Sequence, residues 1–249
     1  MTIVLVLGTS VFAAALLSAA IGLGGGTLLI ACFYMVLPPA IALPLHGAVQ
    51  VVNNGARLWA FRRHVDRAIV SAFLLALAPA VALGFFLFTF LAGEASWALR
   101  GLLGAFILTT LYYRPMEQIR LERRGWVGVG FAATMSSMVV GAADPVLAPF
   151  FLGKQFDRMT VVGTKAACQL ATHIPKVALF ALAAPANSPF RFTDWSWAIA
   201  GLALLAVAGV LVGRRTPVSE RFFRTAYRWV LSALGAKLLI VDALLHDLL

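Results

Sequence analysis

AIALPLHGAVQVVNNGARLWAF, residues 40–61, and MTVVGTKAACQLATHIPKVALF, residues 159–180, can be laid over one another residue for residue. Setting 40 against 159 pairs His46 with Lys165, Gln50 with Gln169, Asn53 with Thr172, Asn54 with His173, Arg57 with Lys176 and Phe61 with Phe180. In a helix His46, Gln50, Asn53 and Arg57 recur at i, i+4, i+7 and i+11, so they form one narrow polar stripe with Asn54 at its flank, and Lys165, Gln169, Thr172 and Lys176 repeat it. Each stripe lies in an otherwise apolar helix.

The same offset relates what precedes each stripe. Gly22-Leu-Gly-Gly-Gly-Thr27 interrupts one helical pattern and Val140-Gly-Ala-Ala-Asp144-Pro145 another. Working outward, the segments are 2–21, 26–37, 40–61, 67–92 and 96–113, then 126–140, 145–153, 159–184, 194–213 and 226–247. Residues 1–113 form a first repeat, 114–125 a linker and 126–249 a second repeat. The segments 26–37 and 145–153, about 12 and 9 residues, are too short to cross a bilayer at about 1.5 Å per residue, so each is expected to be half of a broken or re-entrant hairpin.

The 249 residues are 61% hydrophobic and 12% charged, a balance that no soluble core could absorb. Runs such as Ala68 to Leu91 and Trp195 to Val212 match the roughly 20 apolar residues of a spanning helix, and they lack the alternation of barrel strands. The expected class is an all-α polytopic membrane protein. The first apolar run has no preceding cation and no small-residue cleavage site, so it reads as a retained helix. All six tryptophans fall near segment ends, where indoles sit at headgroup level.

A formal net charge of +10 raises nucleic acid as a partner. The cations instead cluster in four loops, Arg62 to Arg67, Arg114 to Arg124, Lys154 to Arg158 and Arg214 to Arg224, and the positive-inside rule puts all four in the cytoplasm. The linker 114–125 is then cytoplasmic and both termini lie outside. Basic Arg62 to Arg67 corresponds to the cation-poor 185–194 connection, and the Glu94 turn to basic Arg214 to Arg224, which is the charge signature of two inverted repeats of about five helical segments each.

Ionisable groups at membrane depth cost on the order of 3 kcal/mol each, so two such stripes ask for a reason beyond folding. The stripes hold His46, Arg57, Lys165, His173 and Lys176 and no carboxylate, which favours a small anion as ligand. Free amides at the two helix starts would complete an anion cradle at Gly24, Gly25, Gly26 and Thr27 and again near Asp144. The plainer readings are close helix packing for the glycines, an interhelical hydrogen-bond seam for Asn53, Asn54 and Thr172, snorkelling for Arg57 and Lys176, and a helix N-cap for Asp144. Asp144, His46 and His173 are the candidates for carrying protons. Cys32 and Cys168 read as small hydrophobes, no metal or cofactor motif is present, and there is no His-Glu-x-x-His or Gly-x-Ser-x-Gly to suggest an enzyme. Small residues on exposed faces leave room for a homodimer.

Three stretches carry a resemblance: Gly22-Leu-Gly-Gly-Gly after the first helix, Pro38-Pro39-Ala40 followed by Asn53-Asn54 and ending in Arg62-Arg63-His64-Val65-Asp66, and Asp144-Pro145-Val-Leu-Ala-Pro-Phe150. Through them nearly the whole chain resembles the TauE/SafE family of sulfite and organosulfonate exporters. The resemblance implies a bacterial inner-membrane carrier that releases sulfite, or a sulfonate such as sulfoacetate, by using the proton gradient. It carries over most directly at Gly24, Gly25 and Gly26 and less so at Asp144; the second break, usually Gly-rich in the family, reads Gly141-Ala-Ala-Asp144 here and is altered. The expected mechanism is alternating access, with Gln50 and Gln169 donating to oxyanion oxygens and Lys165 and His46 supplying charge. A passive anion channel and a carrier of small carboxylates are the alternatives.

Overall fold

A computed structural model of the protein describes residues 2–22, 24–92, 96–112, 121–151, 156–183, 188–216 and 220–245. The described residues form α1 (Thr2–Ile21), α2 (Gly25–Val36), α3 (Pro39–Phe61), α4 (Arg67–Leu74), α5 (Leu77–Leu91), α6 (Ser96–Tyr112), α7 (Arg123–Val140), α8 (Asp144–Phe151), α9 (Arg158–Leu182), α10 (Ser196–Gly213) and α11 (Glu220–Ala236). A 3-10 turn, Arg62–His64, follows α3, and α11 runs on as a π-helix over Lys237–Leu244.

The ends of these helices follow from local chemistry. Pro38 and Pro39 open α3, where a missing N–H costs nothing. Asp66 caps α4, accepting from the amides of Ala68 and Ile69 at 2.9 and 3.1 Å, and Asp157 caps α9 in the same way through Met159 and Thr160. At both breaks the preceding helix closes alike: Gly22 N–H donates to the Ser18 carbonyl at 3.0 Å and Gly141 N–H to that of Ser137 at 3.1 Å. Gly22, Gly24 and Gly141 all have φ between 76 and 86°, where a Cβ is penalised, so glycine is what lets the chain turn.

The expected segments recur with differences. The segment 67–92 is two helices bent by 52°. Pro79 lies in the first turn of α5 and has no N–H for the carbonyl of Leu75, which frees the backbone to bend there. Arg123 already belongs to α7 and Glu220 to α11, so part of the sequence read as basic loop is helical. The Glu94 turn, Lys154 and most of the 114–125 linker lie outside the described residues.

α3 and α9 pack on each other at the middle. Around them α1 packs on α10, α7 on α4 and α5, α6 on α11 and its π continuation, and α2 touches α8. Exchanging the first five segments with the second five maps this set of pairings onto itself. Close approach is bought by missing side chains: a Cβ on Gly209 would stand 2.6 Å from the Phe12 carbonyl, and one on Gly130 2.6 Å from that of Phe73.

The molecule is apolar outside and polar inside. Phe86, Phe90, Leu204 and Trp197 are exposed, whereas Thr27, His46, Gln50, Asn53, Asn54, Arg57, Asp144, Lys165, Gln169, Thr172, His173 and Lys176 are all buried. That inversion is what a hydrocarbon solvent demands, and the protein is an all-α membrane protein. Ile3–Ile21 and Ser196–Gly213 are long and apolar enough to span by themselves, and the bent α4 and α5 together form a third candidate. At 23 and 25 residues, α3 and α9 are about 35 Å long, enough to span despite their polar stripes. Trp59 and Trp197 are exposed near helix ends, but Trp229 is exposed in the middle of α11, and Trp126 is buried, its ring 5.0 Å from that of Phe151, and therefore acts as core between α7 and α8.

Candidate functional site

The two stripes face each other across the α3/α9 seam, and their side chains form a polar network of several hydrogen-bonded groups along it. On α3, His46 Nε2 lies 3.1 Å from the Gly26 carbonyl, Gln50 Nε2 lies 3.3 Å from His46 Nε2, and Asn53 Nδ2 donates to Gln50 Oε1 at 2.7 Å. If His46 carries its proton on Nε2, that atom donates to Gly26, and Nδ1 is left as an acceptor without a partner. The tautomer protonated on Nδ1 instead leaves a donor unmet. Either way the ring is unsatisfied on one side.

Further along the seam the network crosses between α3 and α9. Arg57 donates to Asn54 Oδ1 on its own helix and to Gln169 Oε1 at 2.7 Å. Gln169 then donates through Nε2 to Asp144 Oδ1 at 2.7 Å, and Lys165 Nζ sits 2.8 Å from that same oxygen. Lys165 also donates to the carbonyl of Gly22 at 2.8 Å, so one ammonium ties both helix breaks together. Asp144 is the first residue of α8, and the Ala143 carbonyl accepts from Leu147. The carboxylate is thus engaged with α9, in place of the N-cap its sequence context suggests.

The remaining stripe residues extend the network toward the other end. Lys176 Nζ donates to the Ser137 carbonyl at 2.7 Å, the rings of His46 and His173 meet edge to face at 5.5 Å, and the hydroxyls of Thr172 and Thr134 are 3.3 Å apart. At the first break Gly24 is left-handed and precedes α2, while a Cβ on Gly26 would come within 2.6 Å of Gln50 Nε2. The glycines release the backbone at the break and leave room for a polar side chain beside it. Thr27 Oγ1, Asn53 Oδ1, Asn54 Nδ2, Arg57 Nε, and Nδ1 of both histidines are buried without a hydrogen-bond partner. Each such group costs about 1–3 kcal/mol, an expense hard to explain in a purely structural seam.

All fifteen residues singled out from the sequence are buried near this seam or at its two helix breaks. Not foreseen were Ser137, Thr134 and Ser18. Ser18 lies against Gly25 and, like Ser137, keeps its hydroxyl buried and unpartnered at the end of a helix that stops in a break. The shared offset of Ser18 and Ser137 was the available signal.

Arg57, Lys165 and Lys176 are buried cations, and Asp144 is the one buried carboxylate among the described residues. The arrangement has the chemistry of an anion site: convergent amide, guanidinium and ammonium donors in a place of low dielectric. A family model described as sulfite exporter TauE/SafE matches residues 7–238. No curated protein and no solved structure matches the chain.

Proposed function

The chain belongs to the sulfite exporter TauE/SafE family, and on that premise we propose that it carries divalent sulfur oxyanions across the bacterial inner membrane by alternating access around the α3/α9 seam. The observation that supports this most directly is the charge of the seam. Three buried basic side chains, Arg57, Lys165 and Lys176, face one carboxylate, Asp144, so with neutral histidines the interior is net positive and suits an anion. Sulfite in its dianionic form and sulfoacetate offset that charge well. A monovalent carboxylate such as lactate offsets less of it in a medium where uncompensated charge is costly.

The exchangeable helix pairings and the opposite charge of corresponding loops favour two inverted halves that rock about the seam, with both termini outside. Contacts that bridge the halves, Arg57 to Gln169, His46 to His173 and Lys165 to the Gly22 carbonyl, are the ones such a motion rearranges. Binding of the anion supplies substitute partners for these donors as they part.

The test is uptake of sulfite, sulfoacetate and lactate into proteoliposomes holding the purified protein. Saturable flux of the two sulfur anions, with little lactate flux, is expected. Lys165→Gln should weaken sulfoacetate binding about tenfold or more, since a hydrogen bond to a charged group contributes roughly 1.5–3 kcal/mol. Absence of flux for every anion would remove the transporter reading, and lactate carried as well as sulfoacetate would remove the divalent preference.

A further inference from the structure

Three of the groups that suit an oxyanion, the Lys165 ammonium, the Gln169 amide and, through Gln169, the Arg57 guanidinium, already surround an anion that belongs to the chain. Asp144 Oδ1 receives Lys165 at 2.8 Å and Gln169 at 2.7 Å, and Oδ2 points toward the first break, 4.0 Å from where a Cβ on Gly26 would stand. The carboxylate therefore reaches from the second break into the space between the stripes and the first.

We infer that Asp144 is a built-in stand-in for the transported anion, so that the anion enters only as Asp144 takes up a proton and gives up Lys165 and Gln169, and one proton travels in the same direction as each anion; export is then drawn by the membrane potential acting on the net negative charge, in place of the proton gradient that the family resemblance implies. This deepens the transport reading above and rests on it. An ionised Asp144 and a divalent anion sharing Lys165 would repel each other in a low-dielectric site, and a neutral carboxyl removes that repulsion. The proton added to Asp144 leaves again when the anion departs, after which the re-formed Asp144–Lys165 pair lets the empty carrier return with its interior connected.

The groups able to complicate this are few. The charged side chains that act on Asp144 are Lys165 from α9 and Arg57 from α3. α2, α6 and α7, which pack on α8, bring no described ionisable side chain to it. His46 and His173 lie near Lys176 and each other, His46 against the Gly26 carbonyl at the first break and His173 within reach of Arg57, and are the alternative seat for the proton.

The experiment is titration calorimetry of the full-length protein in detergent with sulfoacetate, whose own charge is fixed above about pH 5, in two buffers of different ionisation enthalpy. Wild-type protein should take up about one proton per sulfoacetate bound, and affinity should fall about tenfold per pH unit between pH 6 and 8. Asp144→Asn should bind sulfoacetate without proton uptake and with an affinity that no longer depends on pH, and Asp144→Glu should restore both effects. In proteoliposomes carrying the wild type, sulfoacetate leaving down its gradient should carry protons out and turn the lumen alkaline. Sulfoacetate binding to the wild type without proton uptake overturns the inference while leaving transport intact, as does lumen acidification during efflux. Undiminished uptake in Asp144→Asn moves the proton to the histidine pair and overturns it equally. If the wild type neither binds nor carries sulfoacetate or sulfite, the transport reading fails and this inference with it.

Discussion

A methyl group on Gly141 would meet Ile30 Cγ1 at 2.5 Å and Leu43 Cδ1 at 2.9 Å, on a backbone whose φ of 86° already disfavours a side chain. Gly141→Ala should therefore lose at least about 1–3 kcal/mol of stability, seen as a lower melting temperature in detergent, while an alanine at half-buried Gly55, where a Cβ meets nothing within 4 Å, should not lower it. At this scale the sequence was informative where side chains recur at helical spacing. His46, Gln50, Asn53 and Arg57 announce a shared face because no other arrangement explains polar residues at those intervals in an apolar helix. Their partners are less legible. Lys165 and Lys176 each donate to a backbone carbonyl, of Gly22 and Ser137, and a carbonyl leaves no mark in a sequence. Asp144 before a proline imitates an N-cap, and only the approach of α9 from elsewhere in the chain decides that its carboxylate goes to Lys165 and Gln169.

Among the elements, α9 depends on Asp157 for its start. The side-chain hydroxyl of Thr160, at 2.6 Å, and the amides of Thr160 and Met159 hold this exposed carboxyl below its ordinary range. A depressed folded-state pKa means that the stabilisation is present above the unfolded value and fades as pH falls through the folded one. Asp157→Ala should lower the melting temperature at pH 7, with the gap to wild type closing as the pH drops below the usual carboxylate range; a gap of constant size would show that the cap contributes nothing through its charge. Element boundaries were well marked by apolar runs and by Pro38, Gly22 and Gly141, each of which acts through its own backbone. The bend between α4 and α5 was missed because the run from Ala68 to Leu91 is uniformly apolar, although Pro79 marks where a carbonyl goes unbonded. The identity of Trp126 as core was missed because its burial is set by α8 folding back on α7.

For the whole molecule, the proposed inverted arrangement makes a statement about sidedness. In a variant with Cys32→Ser and Cys168→Ser, single cysteines at His64 and at Asp194 should react with a membrane-impermeant maleimide from opposite faces, His64→Cys from the cytoplasm and Asp194→Cys from outside. Labelling of both from one face in intact cells would contradict the inversion. The halves are also joined far from the seam. Arg100 on α6 donates to the carbonyls of Tyr34 and Leu37 at 2.7 and 3.2 Å, closing the end of α2, and reaches Asp242 of the π-helix at 3.3 Å, where Lys237 also binds. Arg100 comes from the first half of the chain and Asp242 from the second. Arg100 meets that carboxylate only once the second half has docked on the first, so this one aspartate latches the corner as the two halves come together.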